Sequence, residues 1–339
     1  QVRLGIIGCG GFARNVHVPN ILLNNKLCVV AACDLNLQHA EAVQAQTGAR
    51  YATTEPGRIF ADDQVDAVLI ATRHDSHAVL SVQAAEAGKH ILCEKPMGLN
   101  MAECRRVAEA VQRAGVVYTV GYNRGLSPLV VKAKELMAGS LAKKMIYHRI
   151  QAPFPESHWT HVPEIGGGRF VGEGCHIFDL FCELVGAPPT SVYAAGGTFL
   201  DPERVKIPDS AIVTLTFADG SVATTLIASD GCAEFPKEAT EIYWDGKAVY
   251  ISDFREMSYH GVIADGEGRI ALKATDKGHR REIDLFADAI LRGTPSPNGL
   301  ENALRAALIS FLVGDSLATG QAMAINAAAN NKNCPVDSK

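Results

Sequence analysis

Short apolar runs alternate with amphipathic segments through the first third of the chain. The runs Val2–Ile7, Lys26–Cys33, Ala67–Ala71, His90–Cys93 and Val116–Val120 have the length of buried strands. Between them, Gln38–Gln46, His77–Ala87 and Met101–Ala114 carry apolar residues at helical spacing, and a periodic segment with Val16, Ile21, Leu22 and Leu23 follows the first run. Strands apolar on both faces, alternating with helices, predict βαβ units and a parallel sheet. After Gly121 the texture changes. Residues 123–163 are mixed, then Gly166-Gly167-Gly168 leads into a helix-length stretch, Phe170–Val185, stopped by Gly186-Ala187-Pro188-Pro189. From Ser191 to about Leu272 the chain reads as strands and turns. The runs Ile212–Phe217, Val222–Ile227, Glu241–Trp244 and Ala248–Ile251 are linked by Asp219-Gly220 and Asp245-Gly246, both hairpin signals. Two helices are predicted near Arg280–Leu291 and Leu300–Leu317, and the polar tail 326–339 reads as loose.

A length of 339 residues exceeds one ordinary core. It divides here into an α/β domain over 1–122 and an α+β domain over 123–325. Hydrophobic residues at 47% against 20% charged place the chain among soluble globular proteins. A net charge of -5 gives no electrostatic pull toward nucleic acid or an anionic membrane. No run approaches the roughly 18 apolar residues of a membrane span. Nine cysteines without a CxxC pair suggest free thiols in a reducing compartment, the cytoplasm. Strand-like sequence begins at once after Gln1, with no signal peptide. The missing Met reads as trimming or as a segment of a longer polypeptide.

The chemistry begins at Gly8-Cys9-Gly10-Gly11-Phe12-Ala13, which follows a strand and opens a helix. Gly8 permits the tight turn, Gly10 lets the backbone approach a pyrophosphate, and the small Ala13 lets helix and strand pack closely. The helix N-terminus would face the phosphates. Asp34 ends the second strand at the spacing of the acid that accepts the adenosine ribose hydroxyls. No Arg or Lys follows it in Leu35-Asn36-Leu37-Gln38, which favours NAD over NADP. Otherwise the glycines form a plain turn and Asp34 a helix cap. Glu94-Lys95-Pro96 closes a further strand and sets an amine and a rigid turn where a nicotinamide ring would lie. The bland alternative for Lys95 is a solvated surface charge.

Together with Gly121-Tyr122-Asn123-Arg124 and Gly174-Cys175-His176-Ile177-Phe178-Asp179, in this order, these motifs make the chain resemble the Gfo/Idh/MocA oxidoreductases over nearly its whole length. The resemblance implies an N-terminal Rossmann doubly wound parallel sheet and a C-terminal domain with an open, mostly antiparallel sheet. It implies NAD(P)-dependent dehydrogenation or reduction of a hydroxyl of a sugar or cyclitol, and a homodimer or homotetramer formed through the sheet face. By position, Lys95 is the family's catalytic lysine, in a cis Lys95–Pro96 bond, and His176 its active-site histidine. Burial and a neighbouring nicotinamide cation would favour a neutral Lys95 amine able to exchange a proton near neutral pH.

On a helix Glu173 and Asp179 share the face of His176, so either carboxylate could orient the ring. The alternative is a satisfied core histidine. Many members have Asp four residues before the histidine. Gly172 stands there in this chain, with Glu173 beside it as the candidate acid. In the loop Thr72-Arg73-His74-Asp75-Ser76-His77, the family commonly has Asn near the nicotinamide ribose where this chain has His74. Thr72, His74 and His77 are cofactor-side candidates, and Asp75 or Ser76 a helix cap. Tyr122 and Trp159 offer flat faces to a sugar, and Asn123, Arg124, His158, His161 and Asp179 offer hydroxyl partners. Arg124 could instead bind a substrate anion bidentately, and each of these residues otherwise serves packing or surface polarity. His74-x-x-His77 lacks further ligands at metal spacing, and no GxSxG elbow appears.

Three functions fit these residues. The first is net hydride transfer on a sugar, sugar derivative or cyclitol. The second is an NAD-dependent glycoside hydrolase or lyase, working by transient C3 oxidation and elimination. The third is a non-catalytic sugar or nucleotide sensor, against which the presence of both Lys95 and His176 argues.

Overall fold

The computed structural model describes residues 1–263 and 266–325, so the tail read as loose, 326–339, lies outside the described residues. Among the described residues the strands form two sheets. The first is wholly parallel and comprises β1 (Val2–Ile7), β2 (Leu27–Cys33), β3 (Tyr51–Thr53), β4 (Ala67–Ile70), β5 (His90–Cys93) and β6 (Tyr118–Val120), in the order β3-β2-β1-β4-β5-β6. Its connections include α1 (Val18–Leu22), continuous with a π-turn at Ala13–His17, then α2 (Leu37–Thr47), α3 (Pro56–Phe60), α4 (His77–Glu86) and α5 (Met101–Ala114). Ile6, Ile7, Leu69 and Ile70 are buried between helical layers, which is why these strands read as unbroken apolar runs. Helix starts and stops follow local chemistry. Asn36 and Asn100 accept from the Gln38 and Glu103 amides at 3.1 and 2.9 Å, and Gly48 and Gly115 close their helices with positive φ. The strand order reverses between β1 and β4, so the crevice lies at the carboxyl ends of the strands.

The second sheet contains β7 (Met145–Gln151), β8 (Pro189–Gly197), β9 (Ser210–Phe217), β10 (Val222–Ala228), β11 (Glu238–Trp244), β12 (Lys247–Ser252), β13 (Glu256–Ile263), β14 (Gly266–Ala271) and β15 (Met323–Ala324). Its order is β14-β13-β12-β11-β7-β10-β9-β8-β15, antiparallel except where β7 meets β10. Both Asp-Gly turns fall where expected, and Asp245 and Gly246 carry φ of 48° and 69°. The mixed stretch contains α6 (Pro128–Met137) and β7. Its strand was obscured because His148 takes an inward position, between Ile146 and Ile150, that alternation reserves for apolar residues, and because polar Gln151 is buried at its end.

Later come α7 (Pro163–Gly166), a π-turn at Phe170–Gly174 running into α8 (Cys175–Val185), α9 (His279–Arg292) and α10 (Leu300–Thr319). Ile177, Phe178 and Phe181 of α8 pack on Val213, Leu215, Ile227 and Ile242. The last two helices return to the first sheet. Ile283 and Phe286 join the core around Leu4, Ile6 and Ile21, while Ala303, Ala306 and Ala307 join Val107, Val111 and Tyr118. On the sheet face away from α8, Tyr147, Tyr193, Ile212, Tyr243 and Tyr250 remain accessible. No helix among the described residues is long and apolar enough to cross a membrane.

Candidate active site

Every motif of the first domain emerges from the same end of the sheet. The glycine loop follows β1 and Asp34 follows β2. Thr72–His77 follows β4, Glu94–Pro96 follows β5, and Tyr122–Arg124 follows β6. Gly8 has φ +91°, and a side chain there would meet the Ala71 carbonyl carbon at 2.5 Å. Gly10 is different: a Cβ on it would meet nothing within 4 Å, so its backbone is open to approach by a ligand. A dinucleotide pyrophosphate fits such a loop. Asp34 accepts from the Cys9 amide at 2.7 Å and the Asn36 amide at 2.9 Å, with His39 at 3.4 Å, tying the second strand's end to the loop. Phe12 is partly exposed and stands edge-on to His17 and His279.

The Lys95–Pro96 bond is cis. Glu94 is buried, which alone would raise its pKa. Its 2.7 Å hydrogen bond to His17 Nε2, with the charges of His17 and Lys95, brings it down to about 2. Sequence offered no hint of His17, because the contact spans 77 residues and follows no local pattern. His77 bridges the two loops, Nδ1 to the Pro96 carbonyl at 2.8 Å and Nε2 to the Thr72 carbonyl at 3.2 Å. Thr72 Oγ1 accepts from Ser76 Oγ at 2.6 Å.

Lys95 reaches across to the second domain, where its Nζ donates to the Gly172 carbonyl at 3.1 Å. Gly172 lies in the π-turn that runs directly into α8 and His176. His176 is buried and its Nδ1 has no hydrogen-bond partner. Burial, then the charges of Arg124 and Lys95, hold its pKa well below the ordinary value, so the ring is neutral. Tyr122 meets it edge-on at 6.1 Å, its own buried hydroxyl unpartnered. The amine of one domain thus lies near enough to the imidazole of the other for its charge to act on the ring.

Neither carboxylate expected to orient His176 bonds to it. Glu173 turns away to Arg169 and to Lys237 at 3.1 Å. Burial opposes its charge, but those cations, Arg169 first, pull its pKa to about 2. Asp179 is buried with neither oxygen in a well-formed hydrogen bond. Burial, then Glu183, raise its pKa to about 8 despite a pull from Arg305 and Asn302. Arg124 likewise spends its fork on Glu238, at 2.7 and 2.9 Å, so its planar face toward a ligand anion is taken by a protein carboxylate. Glu238 also binds Lys277 and lies 3.6 Å from His148 Nε2. Asn123 Nδ2 donates to the Lys277 carbonyl at 2.8 Å.

His74 is buried beside Trp159, ring centroids 4.6 Å apart and edge-on. His158 caps the Trp159–His161 turn, accepting from the Thr160 amide at 3.2 Å. His161 packs edge-on against Phe154 with both ring nitrogens buried and unpartnered. Among the described residues no group of His, Cys, Asp and Glu is placed to hold a metal ion.

A Rossmann sheet with an open glycine loop, joined to a second domain whose helix α8 brings a histidine near Lys95, defines a two-domain nicotinamide-dependent oxidoreductase. Residues 2–122 match the oxidoreductase family with an NAD-binding Rossmann fold, and residues 135–246 match the GFO/IDH/MocA C-terminal domain. The chain belongs to the Gfo/Idh/MocA family, uses NAD and acts on CH–OH groups. It is 25% identical to myo-inositol 2-dehydrogenase of Thermotoga maritima, over 93% of this chain and 96% of that one. It is 26% identical to inositol 2-dehydrogenase of Rhizobium meliloti, over 92% and 96%. The structure of levoglucosan dehydrogenase with NADH and levoglucosan superposes with a TM-score of 0.82 at 21% identity, over 95% and 99%, a likeness of fold.

Proposed function

We propose that this chain oxidises a ring hydroxyl of a cyclitol or sugar, with the reverse reduction available by the same path. One observation carries the reading: Lys95 of the first domain donates to the Gly172 carbonyl, in the turn that runs into α8, and its charge acts on the His176 ring of that helix. Bound NAD, held by the glycine loop and Asp34, supplies the hydride acceptor. Neutral His176 is the base that takes the hydroxyl proton, its lone pair kept free by burial and by the nearby cations. Lys95 Nζ, already a donor to Gly172, can turn an N–H to the substrate oxygen and hold it as it becomes a carbonyl. Trp159, His158 and His161 stand on the substrate side, whereas Tyr122, buried in the first domain's core and edge-on to His176, does not offer the face to a sugar that its position suggested. The inositol specificity of the Thermotoga maritima and Rhizobium meliloti relatives points to a polyhydroxylated ring.

The test follows NADH absorbance against a panel of inositols, hexoses and anhydrosugars. Turnover on at least one is expected, with Lys95→Ala and His176→Ala each lowering kcat by about 100-fold or more. Silence over the whole panel would count against the reading. Glycoside cleavage without net NADH would replace it with transient oxidation and elimination. We further propose that a second copy of the chain covers the accessible tyrosine-bearing sheet face.

A further inference from the structure

We infer that His74 is a positioning residue for Lys95, acting through a size-matched contact with Gly172 on the opposite domain. The inference rests on the role proposed above for Lys95 in holding the substrate oxygen. A Cβ built on Gly172 would meet His74 Cε1 at 2.7 Å and Nδ1 at 3.4 Å, with Thr160 Cγ2 at 3.6 Å. The imidazole fills the volume that any side chain at 172 would occupy. The ring has little freedom to yield. Its Nδ1 is fixed to the Gly166 carbonyl at 2.8 Å, and its edge meets Trp159. Gly166 is itself locked, since a side chain there would overlap the Thr160 backbone at 2.3 Å.

Because a carbonyl can only accept, the bond to Gly166 requires the proton on Nδ1. Burial, then the Lys95 and His77 charges, hold the ring neutral. His74 therefore staples the β4 loop to the segment that carries Gly172, and the Gly172 carbonyl in turn receives the Lys95 amine at 3.1 Å. The order of support is His74, Gly172, Lys95. A misplacement of the amine by a fraction of an ångström would be felt in kcat more than in cofactor binding.

The test is a double-mutant cycle in the full chain with His74→Ala and Gly172→Ala. It reads kcat and KM on an active substrate, NADH binding by fluorescence, and Tm. Gly172→Ala alone should lower kcat by about tenfold or more with NADH binding changed by less than about threefold. In the His74→Ala background the same substitution should cost less than about threefold in kcat and should restore the Tm lost by Gly172→Ala. A Gly172→Ala chain that does not fold, beside a double variant that does, supports the pairing equally. Equal costs in both backgrounds, or failure of both chains to fold, overturn it. Absence of turnover in the unsubstituted chain would strike the proposed function, while the Tm cycle would still decide the pairing.

Discussion

At the level of single residues, the buried acids divide into two kinds with opposite pH behaviour. Glu94 and Glu173 are held near pKa 2 by His17 and by Arg169 with Lys237. Their contribution is present above the ordinary carboxylate range of about 4.3 and is lost as pH falls through about 2. Asp179 does the reverse. With its pKa raised to about 8, the folded chain binds a proton that the unfolded chain has released, so stability falls as pH rises from about 4 to about 8. Asp179→Asn should remove that slope, narrowing the gap between Tm at pH 5 and pH 8 by the equivalent of about 4 kcal/mol. An unchanged gap by calorimetry would contradict the burial argument. The sequence placed Asp179 and Glu173 on the face of His176, yet neither bonds to its ring. It could not reveal that a π-turn re-aims Glu173 toward Arg169, or that Arg124 would meet Glu238 across 114 residues.

Among the elements, the β1-to-helix junction is the least tolerant. Gly8 needs both its left-handed φ and the absence of a side chain against Ala71, whereas Gly10 needs neither for packing. Gly8→Ala should therefore weaken NADH binding by about 100-fold or more through distortion of the loop, and Gly10→Ala should weaken it with little loss of Tm. Titration by NADH fluorescence beside calorimetry separates the two. Equal Tm losses would refute the distinction. This junction was legible because its constraints are local: a strand, a turn and a helix within a few residues. Five of the six parallel strands were legible for a related reason, since short runs buried on both faces leave little polar interruption, whereas the three-residue, half-buried β3 left no run to read. β7 escaped because His148 bonds Thr240 and Gln151 bonds the carbonyls of Cys232 and Phe235, polar partners that only the finished sheet supplies.

For the molecule as a whole, the second sheet leaves tyrosines and Ile212 in rows on one face. In register, Tyr147 lies between Glu241 and Thr224, and Thr214 between Thr224 and Tyr193. Apolar and aromatic area of this kind is what a second copy would bury. Sedimentation should find an oligomer, and Ile212→Lys with Tyr243→Lys should shift it to monomer with the fold intact by circular dichroism. A monomer before substitution would sink the proposal. The two-domain plan was readable from texture alone, but the destination of the final helices was not. An amphipathic helix announces that it needs a partner, not which sheet provides it.

That destination bears on how the molecule is made. Ile283, Phe286, Ala303, Ala306 and Ala307 complete the cores beneath the first sheet, yet they are among the last described residues to be synthesised. The amino-terminal half must wait on the ribosome with part of its apolar surface bare until the carboxyl-terminal helices emerge. Birth order and burial order run opposite ways, which leaves the apolar surface under these helices uncovered while the earlier residues are made.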